Sequence, residues 1–135
     1  MKFSRGTNYA LHTMLHLALT SDNNNPVGVQ QLAEQQSVSS TYLSKILTKL
    51  VKEGLVISVS GANGGYSLPH NWESISFLDI IQAIEGKSSL FDCHFNHGPG
   101  CPIEQVMSSA EKKMEDALMQ AKISDLIKGK DTASK

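Results

Sequence analysis

Cys93 and Cys101 are the two thiols of this 135-residue chain, and they frame a short segment rich in ligating groups. His94 and His97 stand between them, and Glu104 follows Cys101 by three positions. A thiol pair in a chain expected to be intracellular points to redox or metal chemistry before a structural disulfide. Cys101-Pro102-Ile103-Glu104 reads as a helix start, with Cys at the N-cap, Pro in the first turn and an acid near the third position. A thiol placed there meets free amides and the positive end of the helix dipole, which favour its thiolate. If exposed on the loop, it would react with peroxide, hypochlorous acid, quinones or nitric-oxide donors, with Cys93 as the resolving thiol. Cys93, His94, His97, Cys101 and Glu104 also offer donors for zinc or an iron–sulfur cluster. The plainer alternative makes Cys101 a tolerated cap and Cys93 a core filler.

What must position this segment is a helical scaffold centred on residues 26–68. Leu43, Ile46, Leu47, Leu50 and Val51 recur at helical spacing and form one apolar stripe. Ser39 or Ser40 can cap the start of that helix, and Gly54 sits at its expected end. Its other face carries Thr41, Ser44, Lys45, Thr48, Lys49 and Lys52, with no acid before Glu53. Such a face is basic, rich in hydrogen-bonding groups and narrow enough for a DNA groove. Before it, 29–36 reads as a short helix, with Ala33 small enough for close helix contact across the turn at 37–39. After Gly54 the pattern turns β-branched over 55–59, breaks at Gly61-Ala62-Asn63-Gly64-Gly65 and returns at 66–68. Helix, turn, helix and hairpin make a winged helix-turn-helix, so the fold class is mainly α with a small β-hairpin wing.

On either side the pattern is also helical. Tyr9 to Ser21 is predicted as the first helix, with His12 and His16 on one face. Those two histidines lack a third ligand and are read as surface or packing residues. Trp72 is read as a packing anchor in the connector after the wing. Ser76 and Asp79 form a capping box opening a helix over 77–85, with Leu78, Ile80, Ile81 and Ile84 inward and Gly86 at its end. Residues 87–100 read as a loop. From Cys101 onward, Ile103, Met107, Ala110, Met114, Ala117 and Ala121 step by fours and threes, the period of a helix lying along another helix. A homodimer is therefore expected. Residues 124–127 suggest one further turn, and 129–135 a frayed, flexible tail. The organisation expected is a DNA-binding domain over 1–75, a linking helix and sensor loop over 76–100, and a dimerisation helix over 101–128.

The overall charge of −1 conceals an asymmetry: residues 1–70 carry net +2 and residues 71–135 net −3. The basic half coincides with the helix-turn-helix, as expected for a nucleic-acid partner. No apolar run reaches the length of a membrane span, and the N-terminus lacks a secretory h-region, so the protein is expected in the cytoplasm without a membrane partner. Enzyme chemistry has no foothold. The glycine run lacks the Lys-Ser/Thr of a phosphate loop, and no nucleophile has a spaced His–Asp set. Besides DNA binding, a protein-interaction module is the other class compatible with the motif.

Nearly the whole chain resembles the Rrf-two family of small bacterial winged-helix transcription regulators, which includes iron–sulfur-cluster, nitric-oxide-sensing and cysteine-metabolism regulators. The marks are Ser4-Arg5-Gly6 with Tyr9-Ala10, Ser39-Ser40-Thr41-Tyr42-Leu43, Gly54-Leu55-Val56, Gly61-Ala62-Asn63-Gly64-Gly65-Tyr66, the run from Asp79 to Gly86, and Cys101-Pro102-Ile103. The resemblance implies a dimer whose long C-terminal helices cross and whose recognition helices enter successive major grooves of a pseudo-palindromic operator. Lys45 and Lys49 would then meet phosphates or guanines, Thr41, Tyr42 and Ser44 bases or backbone, and Ser39, Ser40, Ser60 and Asn63 phosphates. It also implies a regulator gated at the cysteine loop, acting as a repressor. Two departures stand out. Ser60 occupies a place where relatives often have Arg, and Ser44 one where the cluster regulator has an acid. Cluster-binding relatives have three cysteines in the loop, of which Cys93 and Cys101 match the outer two. Glu104 falls where the cluster regulator has a histidine ligand, and Asn8 where another branch uses an acid.

Overall fold

The structure, a computed structural model, describes residues 3–20, 25–91 and 100–133, with side chains through Lys128. Five helices and a hairpin precede a final helix: α1 (Arg5–Leu19), α2 (Val29–Gln36), α3 (Ser40–Lys52), β1 (Ile57–Val59), β2 (Gly65–Ser67), α4 (Phe77–Glu85), α5 (Pro102–Gln120) and α6 (Ile123–Ala133). A short 3-10 turn, Trp72–Ser74, leads into α4. None of the described helices is long and apolar enough to cross a membrane.

The core forms where the apolar stripes of α1, α2, α3 and α4 meet. Ala10, Met14, Leu17, Leu32, Ala33, Leu43, Leu47, Leu50 and Ile80 are all buried in one cluster. Ala33 is buried in this cluster, and Ser37 ends α2 in the left-handed conformation (φ 54°), turning the chain into α3. Trp72 packs half-buried on the same cluster.

α1 starts at Arg5, four residues before the start that periodicity suggests, because Ser4 caps it by accepting the Thr7 N–H at 3.3 Å. At α4 the expected capping box is complete: Ser76 Oγ accepts the Asp79 N–H at 3.0 Å, and Asp79 accepts the Ser76 N–H at 2.9 Å.

The wing is a two-stranded antiparallel hairpin with Ile57 opposite Ser67 and Val59 opposite Gly65. Val27 extends it by exchanging both backbone hydrogen bonds with Tyr66 at 2.9 Å. That approach requires Gly65, at φ +148°, since a Cβ there would stand 2.6 Å from the Val27 carbonyl oxygen.

Helix α5 packs on α4, yet none of its residues is buried. Ile103 and Val106 are about two-thirds exposed and Met107 is 42% exposed. The chain then returns: Phe77 N–H donates to the Ala121 carbonyl at 2.8 Å, and Ile123 enters the core. Burial of Ile123 and Ser124 anchors α6 against α1 and the 3-10 turn. α6 therefore continues to Ala133, through the stretch where the sequence suggests one turn and a frayed end.

Candidate nucleic-acid interface and cysteine segment

The exposed side of α3 is set by its buried side. Leu43, Ile46, Leu47 and Leu50 face the core, so the 100° step of the helix turns Thr41, Tyr42, Lys45, Thr48 and Lys49 to solvent. Ser44 is half-buried, and its carbonyl accepts the Thr48 hydroxyl at 2.8 Å. Ser39 caps the helix by accepting the Tyr42 N–H at 3.1 Å. Ser40, Thr41, Ser44 and Lys45 line an open basin with Val29 from the start of α2. Ser60 and Asn63 are exposed at the wing. The nine residues expected to touch DNA are thus distributed over α3 and its cap on one side and the wing on the other.

Tyr42 is braced by α1: its ring meets that of Tyr9 edge-to-face, with centroids 5.7 Å apart and planes at 81°. Glu85 is a neighbour the sequence reading did not single out. Its carboxylate accepts the Ser4 N–H and the Thr7 hydroxyl, each at 2.7 Å. These bonds, the Ser4 backbone first and Thr7 second, hold its carboxyl below the usual range against a small opposing effect of burial; Lys49 adds a weaker pull in the same direction. A sequence signal was at hand, since both Ser4 and Glu85 fall within the marks of the family.

In the cysteine segment, Cys101 is the N-cap of α5, its carbonyl accepting the Gln105 N–H at 3.0 Å, and Pro102 is first in the helix. The thiol is buried, 6% exposed, which corrects the picture of a loop-exposed sulfur. Glu104 is exposed on the first turn of α5. Cys93, His94 and His97 lie outside the described residues. Among the described residues no three His, Cys, Asp or Glu side chains gather as a metal group. His12 Nδ1 lies 2.8 Å from the Asn8 carbonyl, and His16 Nε2 is buried with no hydrogen-bond partner among the described residues.

A family model described as an iron-dependent transcriptional regulator, Rrf2, matches residues 3–129. The chain belongs to the Rrf2 family. Among Rrf2 relatives, the regulator NsrR of Bacillus licheniformis is 31% identical over 97% of this chain and 95% of its own length. A putative regulator of Lactococcus lactis, YffB, is 41% identical over 67% of this chain, which spans 58% of that protein. The solved structure of T. potens IscR superposes with a TM-score of 0.79 at 30% identity, covering all of this chain and 92% of the other. The Rrf2 fold is thus a winged helix-turn-helix, and the chain is a DNA-binding transcriptional regulator, not an enzyme.

Proposed function

We propose that this protein is a homodimeric repressor that reads a pseudo-palindromic operator with one α3 per subunit and releases it when the cysteine segment is oxidised. The observation that carries the DNA contact is the acid-free polar face of α3: Thr41, Tyr42, Lys45, Thr48 and Lys49 are exposed together while the opposite stripe is fully committed to the core. Lys45 and Lys49 supply the charge, and Ser39, Ser40, Ser60 and Asn63 fix the register on phosphates. Dimerisation is supported by α5, whose exposed Ile103, Val106 and Met107 continue an apolar stripe through Ala110 to Met114. Two such stripes can cover each other, and a two-fold dimer matches a two-fold operator.

The gate acts through the Cys101 thiol. Cys101 thiolate attacks hydrogen peroxide, forming sulfenic acid and hydroxide; the Cys93 thiol then displaces water to give a disulfide. Because Cys101 is buried at the N-cap, the reagent reaches it only when the packing around this residue loosens, so reaction and rearrangement are coupled. The change falls between α4, which packs on α1 and α3, and α5, which carries the exposed stripe.

The test is operator binding by protein purified without oxygen, before and after peroxide, with C101S as control. Loss of binding in the native protein but not in C101S supports the gate; equal loss in both removes it. The family's description as iron-dependent favours a second reading, a cluster regulator. Cys93, His94, His97, Cys101 and Glu104 would supply its donors, with fewer thiolates than such clusters usually take. An absorbance spectrum with iron and sulfide analysis of the same anaerobic sample decides it: stoichiometric iron and sulfide would replace the thiol mechanism.

A further inference from the structure

Helix α1 has half a capping box. Ser4 Oγ accepts the Thr7 N–H, but the third helical position is Thr7 itself and no acid of α1 reaches back to the Ser4 N–H. The missing carboxylate comes from Glu85, 81 residues away and the last residue of α4. Its Oε2 accepts the Ser4 N–H and the Thr7 hydroxyl, each at 2.7 Å, and Thr7 is itself 1% exposed. The box that α4 completes for itself with Ser76 and Asp79 is here completed between two helices.

The turn so capped bears directly on the recognition helix. Gly6 sits where a Cβ would stand 3.2 Å from Ile84 Cγ2 and 3.8 Å from the Tyr42 hydroxyl oxygen. One turn later, the Tyr9 ring meets the ring of Tyr42. Tyr42, in the first turn of α3, is 36% exposed and packs its ring against Tyr9 of α1.

We propose that Glu85 is a positioning residue for DNA recognition: by completing the α1 cap from α4, it holds the first turns of α1 against Tyr42 and sets where that phenol points. This rests on the DNA-binding reading above. It also gives α4, whose end leads through Gly86 toward the cysteine segment, hydrogen bonds to α1 and, through the Tyr9–Tyr42 ring contact, a link to the reading helix.

The experiment measures affinity for the tightest duplex that the wild-type protein selects from a randomised pool, with melting temperatures alongside, for E85A, E85Q, Y42A and the double variant E85A/Y42A. Gln retains an oxygen that can accept both bonds but carries no charge. The expected result is about tenfold weaker binding for E85A, a change within about twofold for E85Q, and little further loss when E85A is added to Y42A. Losses that multiply in the double variant overturn the proposal, because Glu85 would then act independently of Tyr42. E85Q as weak as E85A also overturns it, as does tighter binding by both, which would make Glu85 a charge repelling phosphate. If E85A does not fold, T7V, which removes one donor and keeps the shape, is cycled against Y42A and read in the same way. A folded wild-type protein that selects no duplex overturns the DNA-binding reading itself, a result distinct from any of these.

Discussion

Gln36 donates its side-chain amide to Thr13 Oγ1 at 2.7 Å, and Thr13 is fully buried. The bond ties the last residue of α2 to the middle of α1, fixing the first half of the helix-turn-helix on its support. Gln36→Leu leaves a buried hydroxyl without its donor, so it should destabilise the fold by about 1–3 kcal/mol. Thr13→Val, which strands only a half-buried amide that water can reach, should cost less, about 1 kcal/mol. Urea unfolding checks both; an unmoved midpoint in Gln36→Leu would mean another partner takes over.

The lysines of α3 separate charge from sequence reading. Lys45 and Lys49 are exposed on the recognition face, so each Ala substitution should weaken operator and unrelated DNA alike. For a residue that neutralises one phosphate, the slope of log affinity against log salt should shrink by about 0.9. A salt titration reads this directly. An unchanged slope in Lys49→Ala would place that lysine off the DNA.

The wing offers a comparison between two glycines. Gly65, at φ +148°, has the Val27 carbonyl oxygen 2.6 Å from its Cβ position, whereas Gly61, at φ +102°, faces open space. Gly65→Ala must therefore push apart the Val27–Tyr66 pairing, and Gly61→Ala meets only backbone strain of about 1–3 kcal/mol. Gly65→Ala should melt lower and bind DNA more weakly than Gly61→Ala. Equal melting temperatures would show that the Val27 segment yields freely.

Most of this arrangement was legible because periodicity and caps agree. The stripe of α3, its serine cap (Ser39 of the two candidates), the Ser76–Asp79 box and the glycine-bounded hairpin are all short-range signals, and each has the expected place. What escaped is long-range. Periodicity begins α1 at Tyr9, because the carboxylate that completes its cap lies at Glu85, far outside any local window. α6 runs longer than its periodicity suggests for a related reason: its anchor is Ile123 docking in the core, not its own propensity. The burial of Cys101 depends on how the chain folds around one N-cap, which spacing does not encode.

The exposed stripe of α5 gives the dimer its own test. Met107→Glu places a charge between Val106 and Ala110 on a helix with no buried residue, so the isolated fold should tolerate it. Across a two-fold interface two such charges would meet while losing water, and the dimer should dissociate. Sedimentation should show a monomer with an unchanged helical signal and operator affinity reduced by about two orders of magnitude or more, as one arm of the site is lost. A Met107→Glu protein that stays dimeric would move the interface off this face.

Glu85 also predicts how stability responds to acid. Its folded carboxyl titrates below the ordinary value of 4.5, held there first by the Ser4 N–H and then by the Thr7 hydroxyl. A group with a depressed folded pKa contributes stability that is fully present above its unfolded pKa and is lost as pH falls through the folded one. Wild-type protein should therefore exceed E85Q in melting temperature by a constant margin from neutral pH down to about 5, and the margin should close as pH falls further below 4.5. Other carboxylates lower both curves in acid, so the difference between the two proteins isolates Glu85. A margin that persists unchanged to about pH 3 would mean that the neutral acid caps α1 as well as the carboxylate does, and that charge adds nothing to this link.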